Sequence, residues 1–260
     1  MMNQQFNEKT FDALTSKVPQ VTLMFWIIKI LATTVGETGG DALSMTLNLG
    51  YAMSSLIFLT FFVITLIVQV SSRRYHPFAY WAVVVATTTV GTTMSDYLDR
   101  TLALGYVKSS IMLFIGVLIV LFIWRSVTKQ IKFENITSRT DETFYWLTIL
   151  VSNTLGTALG DFTASTTGLG FERGALVFAG LIALVAAAHF WLKKFPPSAL
   201  FWSAYVLTRP LGATLGDTLT KSHTEGGLAL GRFTSSFVMG AFMVVGILWT
   251  SRKQKKGSEQ

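Results

Sequence analysis

The sequence predicts an all-α polytopic membrane protein whose eight transmembrane helices form four parallel two-helix repeats, pseudo-symmetric about the membrane normal. Three observations predict this class. The 260 residues are 51% hydrophobic and only 13% charged, the polar residues are collected between long apolar runs, and one motif occurs four times. Soluble domains carry about 25% charged residues. Apolar segments of about 20 residues between polar loops are typical of membrane spans.

Eight segments are expected to cross the membrane. Their predicted bounds are 21–43, 49–71, 78–99, 105–125, 144–164, 172–192, 198–220 and 230–250. The odd-numbered segments contain threonine, glycine and acidic residues, so we expect them to face protein, whereas the even-numbered ones are more apolar and should face lipid. This pattern predicts an N-terminal segment (1–18), one membrane domain (19–252) with repeats at about 21–72, 77–126, 142–193 and 197–252, and a basic tail (253–260).

The basic residues predict the orientation of these segments. Most of the 21 Lys and Arg lie near the termini and in the loops after the second, fourth and sixth segments. Because cytoplasmic loops are rich in Lys and Arg, both termini are expected in the cytoplasm. The net charge of +7 is explained by these loops, so no nucleic-acid partner is expected. Residues 1–18 lack the apolar stretch of a cleavable signal peptide.

The repeated motif is [FY]-W-x9-G-x3-[GS]-D, followed by a Leu-Gly pair. Copy four has an apparent five-residue insertion before that pair. Two small residues four positions apart allow helices to pack closely, so we interpret them as scaffold. The aromatic pair is expected at the cytoplasmic membrane interface. The Trp, Gly and Asp of the four copies are Trp26, Gly36 and Asp41; Trp81, Gly91 and Asp96; Trp146, Gly156 and Asp161; and Trp202, Gly212 and Asp217.

The four Asp are the main functional candidates, because a carboxylate inside a membrane costs roughly 2.5–3.5 kcal/mol on insertion scales. Positions seven and three residues before them are mostly threonine and are expected on the same helix face. Converging faces would form an oxygen-lined pathway for a hard cation. The alternative is structural, with each Asp capping the following helix. The threonines are Thr34, Thr89 and Thr154, and Thr38, Thr93 and Thr214.

The copies differ at a few polar positions, and these are candidates for function. Glu37 adds a second acid to copy one, and we interpret it as a substrate or proton site. Arg209 is expected to pair with Glu37 or a repeat Asp, with snorkelling as the alternative. Asn153 is a weaker polar candidate. Lys29 is expected to snorkel to the interface, and Asp99 to pair with the adjacent Arg100.

The fourfold motif, with two spans and one characteristic Trp per copy, resembles a bacterial four-repeat family of unknown function labelled "uncharacterised membrane-anchored protein". The resemblance covers about residues 20–250. It implies a bacterial inner-membrane location and four repeats. It carries over no site residues, and copy four departs from the pattern at Arg209 and Pro210.

The preferred hypothesis is a transporter or channel for a small cation, with manganese or magnesium as the expected substrate and proton coupling through the acids compatible with it. The metal ligands would be Glu37, Asp41, Asp96, Asp161 and Asp217. The alternative is a non-transporting membrane sensor or assembly partner whose Asp are structural caps. No enzymatic motif is present, the chain has no Cys, and no cofactor is expected. The expected partners are the lipid bilayer and the cation, and homo-oligomerisation stays open.

Overall fold

The computed structural model describes residues 17–72, 74–131, 136–191 and 195–258, and these contain eight long α-helices and no β-strand. Each helix lies close to a predicted segment, but the last one includes the first six residues of the predicted tail (253–258) and ends at Ser258. The helices are α1 (Leu23–Asp41), α2 (Gly50–Ser71), α3 (Pro77–Asp96), α4 (Tyr106–Thr128), α5 (Arg139–Asp161), α6 (Gly170–Trp191), α7 (Pro197–Thr220) and α8 (Arg232–Ser258).

The even-numbered helices α2, α4, α6 and α8 have the length and composition of membrane spans. Their outward side chains are large, apolar and exposed, for example Phe122 and Phe237. Such faces require an apolar surrounding, so the protein is a membrane protein. The odd-numbered helices carry threonines, glycines and acids, which lower their hydropathy, and most of their residues are buried.

The four odd-numbered helices form a closed inner ring. In the described part of the chain, α1 packs against α3, α3 against α5, α5 against α7, and α7 returns to α1. Each even-numbered helix packs mainly on the inner helix of the next repeat: α2 on α3, α4 on α5, α6 on α7 and α8 on α1. The repeats are therefore interlocked, and the last helix closes the bundle by covering the first.

The motif glycines explain how closely the inner helices approach. A Cβ atom on Gly36 would overlap the Thr88 side chain of α3, and one on Gly212 would overlap Thr33 of α1. Gly91 and Gly156 make the equivalent contacts with Asn153 and Arg209. The glycine of each repeat thus contacts the residue eight positions before the Asp of the next repeat. Larger residues would separate the helices, so the interpretation of the glycines as scaffold is confirmed.

The chain after the Asp differs between the repeats. In the first three, the α-helix continues into a five-residue π-helical turn: Ala42–Thr46, Tyr97–Thr101 and Phe162–Thr166. In the fourth, α7 runs on to Thr220 and is followed by a loop, 221–231, that contains a 3-10 turn at His223–Glu225. The extra residues of repeat four therefore lie at the end of the ring that carries the Asp residues.

Candidate functional site

Aromatic side chains fill one end of the inner ring. The first residue of each aromatic pair packs on the Trp of the next repeat, with ring centroids 5.4–5.6 Å apart. Tyr80 and Tyr145 also share a hydrogen bond of 2.6 Å between their hydroxyls. We call these eight residues the aromatic layer: Phe25, Trp26, Tyr80, Trp81, Tyr145, Trp146, Phe201 and Trp202.

Three of the four Trp of the aromatic layer face the inside of the bundle rather than its outer surface. Trp81, Trp146 and Trp202 are buried against the other inner helices. The chain before α1 passes this same end, where Lys17 Nζ donates to Glu142 Oε2 at 2.8 Å and to the Val70 carbonyl at 3.0 Å. Tight aromatic packing therefore closes this end of the ring.

Lys29 lies below the aromatic layer, and the prediction that it snorkels was wrong. Its side chain is fully buried, and Nζ lies 4.2 Å from the centroid of the Tyr205 ring. Among the described residues, Nζ has no hydrogen-bond partner. The side chain of Lys29 turns toward Tyr205 of α7, inside the bundle, rather than toward the membrane interface.

Arg209 occupies the middle of the ring and pairs with Glu37, as predicted from the sequence. It is 0% exposed, and its Nη2 donates to Glu37 Oε2 at 2.8 Å and to Thr92 and Thr157 at 2.6 Å each. Thr92 also donates to Glu37 Oε2 at 3.2 Å. Arg209 thus contacts all three other inner helices. Its Nε and Nη1 have no hydrogen-bond partner among the described residues.

The four repeat Asp lie beyond this pair, and two basic residues join them in pairs. Arg100 Nε lies 2.8 Å from Asp96, and Arg100 Nη2 lies 3.8 Å from Asp161. On the other side of the ring, Lys221 Nζ lies 3.2 Å from Asp217 and 3.5 Å from Asp41. Each basic residue therefore links the Asp of its own repeat to that of the next.

Three carboxylates on the Lys221 side come close enough to bind one cation. Oxygens of Glu37, Asp41 and Asp217 all lie within 4.8 Å of one another, and the three residues are buried. We call these residues the carboxylate trio. Arg232 Nε adds a third basic group, 3.5 Å from Asp41. The predicted ligands Asp96 and Asp161 belong to the opposite pair, on Arg100.

Burial and neighbouring charge act in opposite directions on Lys221. Burial lowers the pKa of its ammonium, but the carboxylates of Asp217 and Asp41 raise it by more, so the net shift is upward. The same balance, with Asp96 and Asp161 as the acids, raises the pKa of Arg100. Both groups therefore stay positively charged at neutral pH.

The first three repeat Asp do not cap the turns that follow them. Asp41, Asp96 and Asp161 each precede a π-helical turn, and none of the three side chains makes a capping hydrogen bond there. The expected pairing of Asp99 with Arg100 was wrong. Asp99 accepts a 3.2 Å hydrogen bond from Ser95, and Arg100 points to the other carboxylates.

The threonines predicted to share the face of the Asp do not reach this network. Thr38 bonds Ser236 of α8 at 2.7 Å, and Thr214 packs on Gly174 of α6, so both face outer helices. The other four donate only to carbonyls of their own helix: Thr34, Thr89, Thr93 and Thr154. Asn153 Nδ2 donates to Thr87 of α3 at 2.9 Å.

The face that points into the ring is offset by one residue from the predicted one. It carries positions eight and four before each Asp, the Asp itself, and the position four after it. Spacings of three and of four residues both keep side chains on one helix face, so the sequence pattern alone allowed either choice. The residues missed for this reason are Thr92, Thr157, Arg100 and Lys221; Arg232 was missed because it lies at the start of an outer helix.

The four repeats also match a known family model. The model is described as a Repeat of Unknown Function (DUF347), and it matches residues 24–75, 79–130, 144–195 and 200–256. No curated protein and no solved structure is significantly similar to the chain.

Proposed function

Because the chain belongs to the DUF347 repeat family, whose function is not established, we propose from the geometry of the site that it transports a small divalent cation. Manganese or magnesium is the proposed substrate. The observation that carries this proposal is the carboxylate trio, whose oxygens lie within 4.8 Å of one another inside the ring. Hard divalent cations prefer such oxygen ligands, and water would complete their coordination.

A second argument comes from where these acids are buried. Ionisable groups inside a membrane protein are expensive to bury and mark substrate or proton pathways. Glu37 and Asp41 of α1 and Asp217 of α7 come from two different repeats, and their carboxylates meet where these two inner helices pack. A ligand held there contacts several elements at once, so movement of one repeat against another would change its coordination.

We place all eight helices across a bacterial inner membrane, with both termini in the cytoplasm. The inner helices have 19 to 24 residues, so they are about 28–36 Å long and match a hydrocarbon core of about 30 Å. The outer helices shield their polar faces from lipid. The Lys and Arg distribution favours an orientation with the aromatic layer on the cytoplasmic side and the carboxylates toward the outside.

The aromatic layer makes a carrier a better fit than a permanently open channel. A cation that moves from the trio to the cytoplasm has to pass the packed rings and the Tyr80–Tyr145 hydrogen bond. Transport therefore requires that this end opens while the other end closes, as in alternating access. Acids that exchange protons for the cation would supply coupling to a proton gradient.

Uptake by purified protein in liposomes tests the proposal. Liposomes that enclose a Mn²⁺- or Mg²⁺-sensitive dye should report cation entry with the wild-type chain. The double substitution Glu37→Gln with Asp41→Asn should reduce this entry at least tenfold, because two of the three carboxylate ligands lose their charge. The matched control is Asp99→Asn, which neutralises a buried acid at the same end that contacts Ser95 rather than the trio.

The control should transport like the wild type. Normal uptake by the double variant would contradict the proposed site, and no uptake of either ion by a folded wild-type protein would contradict the proposed function. Gel filtration and thermal unfolding in detergent should accompany every variant, so that a loss of folding is recognised.

The pairing of acids with bases favours a second candidate, a non-transporting sensor or assembly partner. Each repeat Asp lies within 4 Å of a basic side chain, an arrangement that can hold the ring together without any ligand. If this is the role, single Asp→Asn variants lose stability in proportion to any lost function. Liposomes containing the wild-type chain would then take up no cation.

A further inference from the structure

The position four residues after each repeat Asp alternates in charge around the ring. It is Met45 in repeat one, Arg100 in repeat two, Ser165 in repeat three and Lys221 in repeat four. The two basic residues therefore lie on opposite sides of the ring. They make equivalent contacts, each to the Asp of its own repeat and to that of the next.

The two basic residues differ in chemistry and in distance. The guanidinium of Arg100 is planar, carries several donors and lies 2.8 Å from Asp96. Its second contact, to Asp161, is 3.8 Å. The ammonium of Lys221 is a single point charge, and it lies at intermediate distances from both of its acids, 3.2 Å and 3.5 Å. An ammonium on a flexible four-carbon chain holds two carboxylates less rigidly than a guanidinium does. The Lys221 pair is therefore the weaker of the two.

The backbone at Lys221 also lies outside the helix. Arg100 lies within a π-helical turn, whereas Lys221 has an extended conformation (φ −68°, ψ 157°) at the end of α7. The loop of repeat four begins there, and Ala229 donates to the Lys221 carbonyl at 2.9 Å. Gly227 packs so closely on that carbonyl that a Cβ would overlap it. The side chain can thus turn outward without unwinding a helix.

Lys221 already occupies the place of a cation. Its Nζ lies near two members of the carboxylate trio, and Glu37 is the third member. A divalent ion coordinated by the trio would lie only a few ångströms from the ammonium, and two cations at that distance repel each other strongly in a buried site. Bound cation and inward-facing Lys221 therefore exclude each other.

We propose that Lys221 is a tethered counter-ion that occupies the carboxylate trio in the empty protein and turns toward solvent when a divalent cation binds. This inference rests on the proposed function. Lys221 Nζ lies against Asp41 and Asp217, so one basic side chain leaves the trio as one divalent ion enters. Arg232 stays in place, because its Nη atoms contact Met45 Sδ at 3.3 Å and Thr46 Oγ1 at 3.4 Å outside the trio.

In the empty protein the Lys221 ammonium therefore neutralises part of the negative charge of the carboxylate trio. A cation has to compete with Lys221 for the trio, and this competition lowers its affinity. Removal of this competitor should tighten binding, whereas a guanidinium in its place, which holds two carboxylates more rigidly, should weaken it. Methionine is a suitable replacement, because repeat one carries Met45 at the equivalent position.

Mn²⁺ binding to the purified full-length chain in detergent tests the inference, with free Mn²⁺ measured by electron paramagnetic resonance. K221M should bind Mn²⁺ at least tenfold more tightly than the wild type, and K221R at least tenfold more weakly. The control R100M removes a basic residue from the pair that lacks Glu37, and it should change the affinity less than threefold.

If K221M binds Mn²⁺ as the wild type does, or more weakly, the inference about Lys221 is wrong. The carboxylate site itself would still be supported in that case, provided that the double variant Glu37→Gln with Asp41→Asn does not bind Mn²⁺. If the wild type and K221M both fail to bind Mn²⁺, the proposed site and this inference are both wrong. If only K221M binds measurably, the inference is supported.

Labelling of Lys221 gives a second readout that does not depend on any substitution. Its side chain is only 10% exposed in the structure, so an amine-acetylating reagent should modify it slowly. Saturating Mn²⁺ should raise the rate at least fivefold, measured by mass spectrometry. Lys108, an exposed lysine near the start of α4, is the internal control and should not change. An unchanged Lys221 rate in protein that binds Mn²⁺ would overturn the inference.

Discussion

Removal of one partner of the buried Arg209–Glu37 pair should destabilise the protein more than removal of both. Arg209 is fully buried, and its Nη2 makes three hydrogen bonds, of which the 2.8 Å contact to Glu37 joins two charges. R209M retains the side-chain stem that packs on Gly156 but leaves the Glu37 carboxylate without its cation. A buried charge that loses its partner costs about 3–5 kcal/mol.

The double variant R209M/E37M should recover most of this loss, because an apolar pair often replaces a buried ion pair at little cost. The two threonines that lose Arg209 keep acceptors, since Thr92 also donates to the Gly36 and Thr88 carbonyls and Thr157 to the Asn153 carbonyl. We expect a coupling energy of about 2–4 kcal/mol between the two sites.

Thermal unfolding in detergent, followed by fluorescence of the buried Trp residues, measures these differences. With the scaling of globular domains, R209M should lower Tm by roughly 10 °C and the double variant by a few degrees. R232M is the control: Arg232 is 26% exposed and 3.5 Å from Asp41, so its loss should cost about 1 kcal/mol or less. Additive effects of R209M and E37M would refute the reasoning.

Two further predictions concern the ring glycines and the loop of repeat four. G36A forces a Cβ into Thr88 and should destabilise the protein by about 2–3 kcal/mol or more in thermal unfolding, whereas G240A should be neutral or slightly stabilising, because no described atom lies within 4 Å of its Cβ position. Hydrogen bonds from the Ser222 side chain and backbone lower the pKa of Glu225 below its ordinary 4.5. A lowered folded pKa means stability that is present above pH 4.5 and lost as the pH falls through the folded value. Amide exchange in the loop 221–231 should therefore accelerate with acid beyond its intrinsic pH dependence; an identical profile in E225Q would argue against this cap.

Much of the fold could be predicted because the repeat is visible in the sequence. The aromatic pairs, glycines and Asp recur at constant spacing, and the structure brings equivalent residues into equivalent places around the ring. The pairing of Arg209 with Glu37 was predictable for a similar reason. Both residues break the repeat, both are charged, and a charge buried in the membrane requires a partner.

The details of the site could not be predicted, because they depend on which neighbour each face meets. The threonines three and seven residues before the Asp and the residues four and eight before it fit one helical stripe equally well. Each motif glycine packs closely against the next repeat, and this packing fixes the rotation of the inner helices. The residues four and eight before the Asp then face into the ring, as Thr92 does. The threonines three and seven before it face away from the ring centre, as Thr38 does toward α8. Lys29 was assigned to the interface because only its distance from Trp26 was considered, not its rotation about the helix axis.

Composition and periodicity were sufficient to predict the eight helices, the four repeats and the small residues at the contacts between repeats. They also predicted that buried charged side chains would be paired. These properties are local, because each depends on the chain within a few turns of one helix. The closed ring, the packing of each outer helix on the next repeat, the burial of the aromatic layer and the linkage of Asp residues by Arg100 and Lys221 are not local. They arise between residues that are tens of positions apart or more, where the free energy of packing selects one partner among faces that look alike in the sequence.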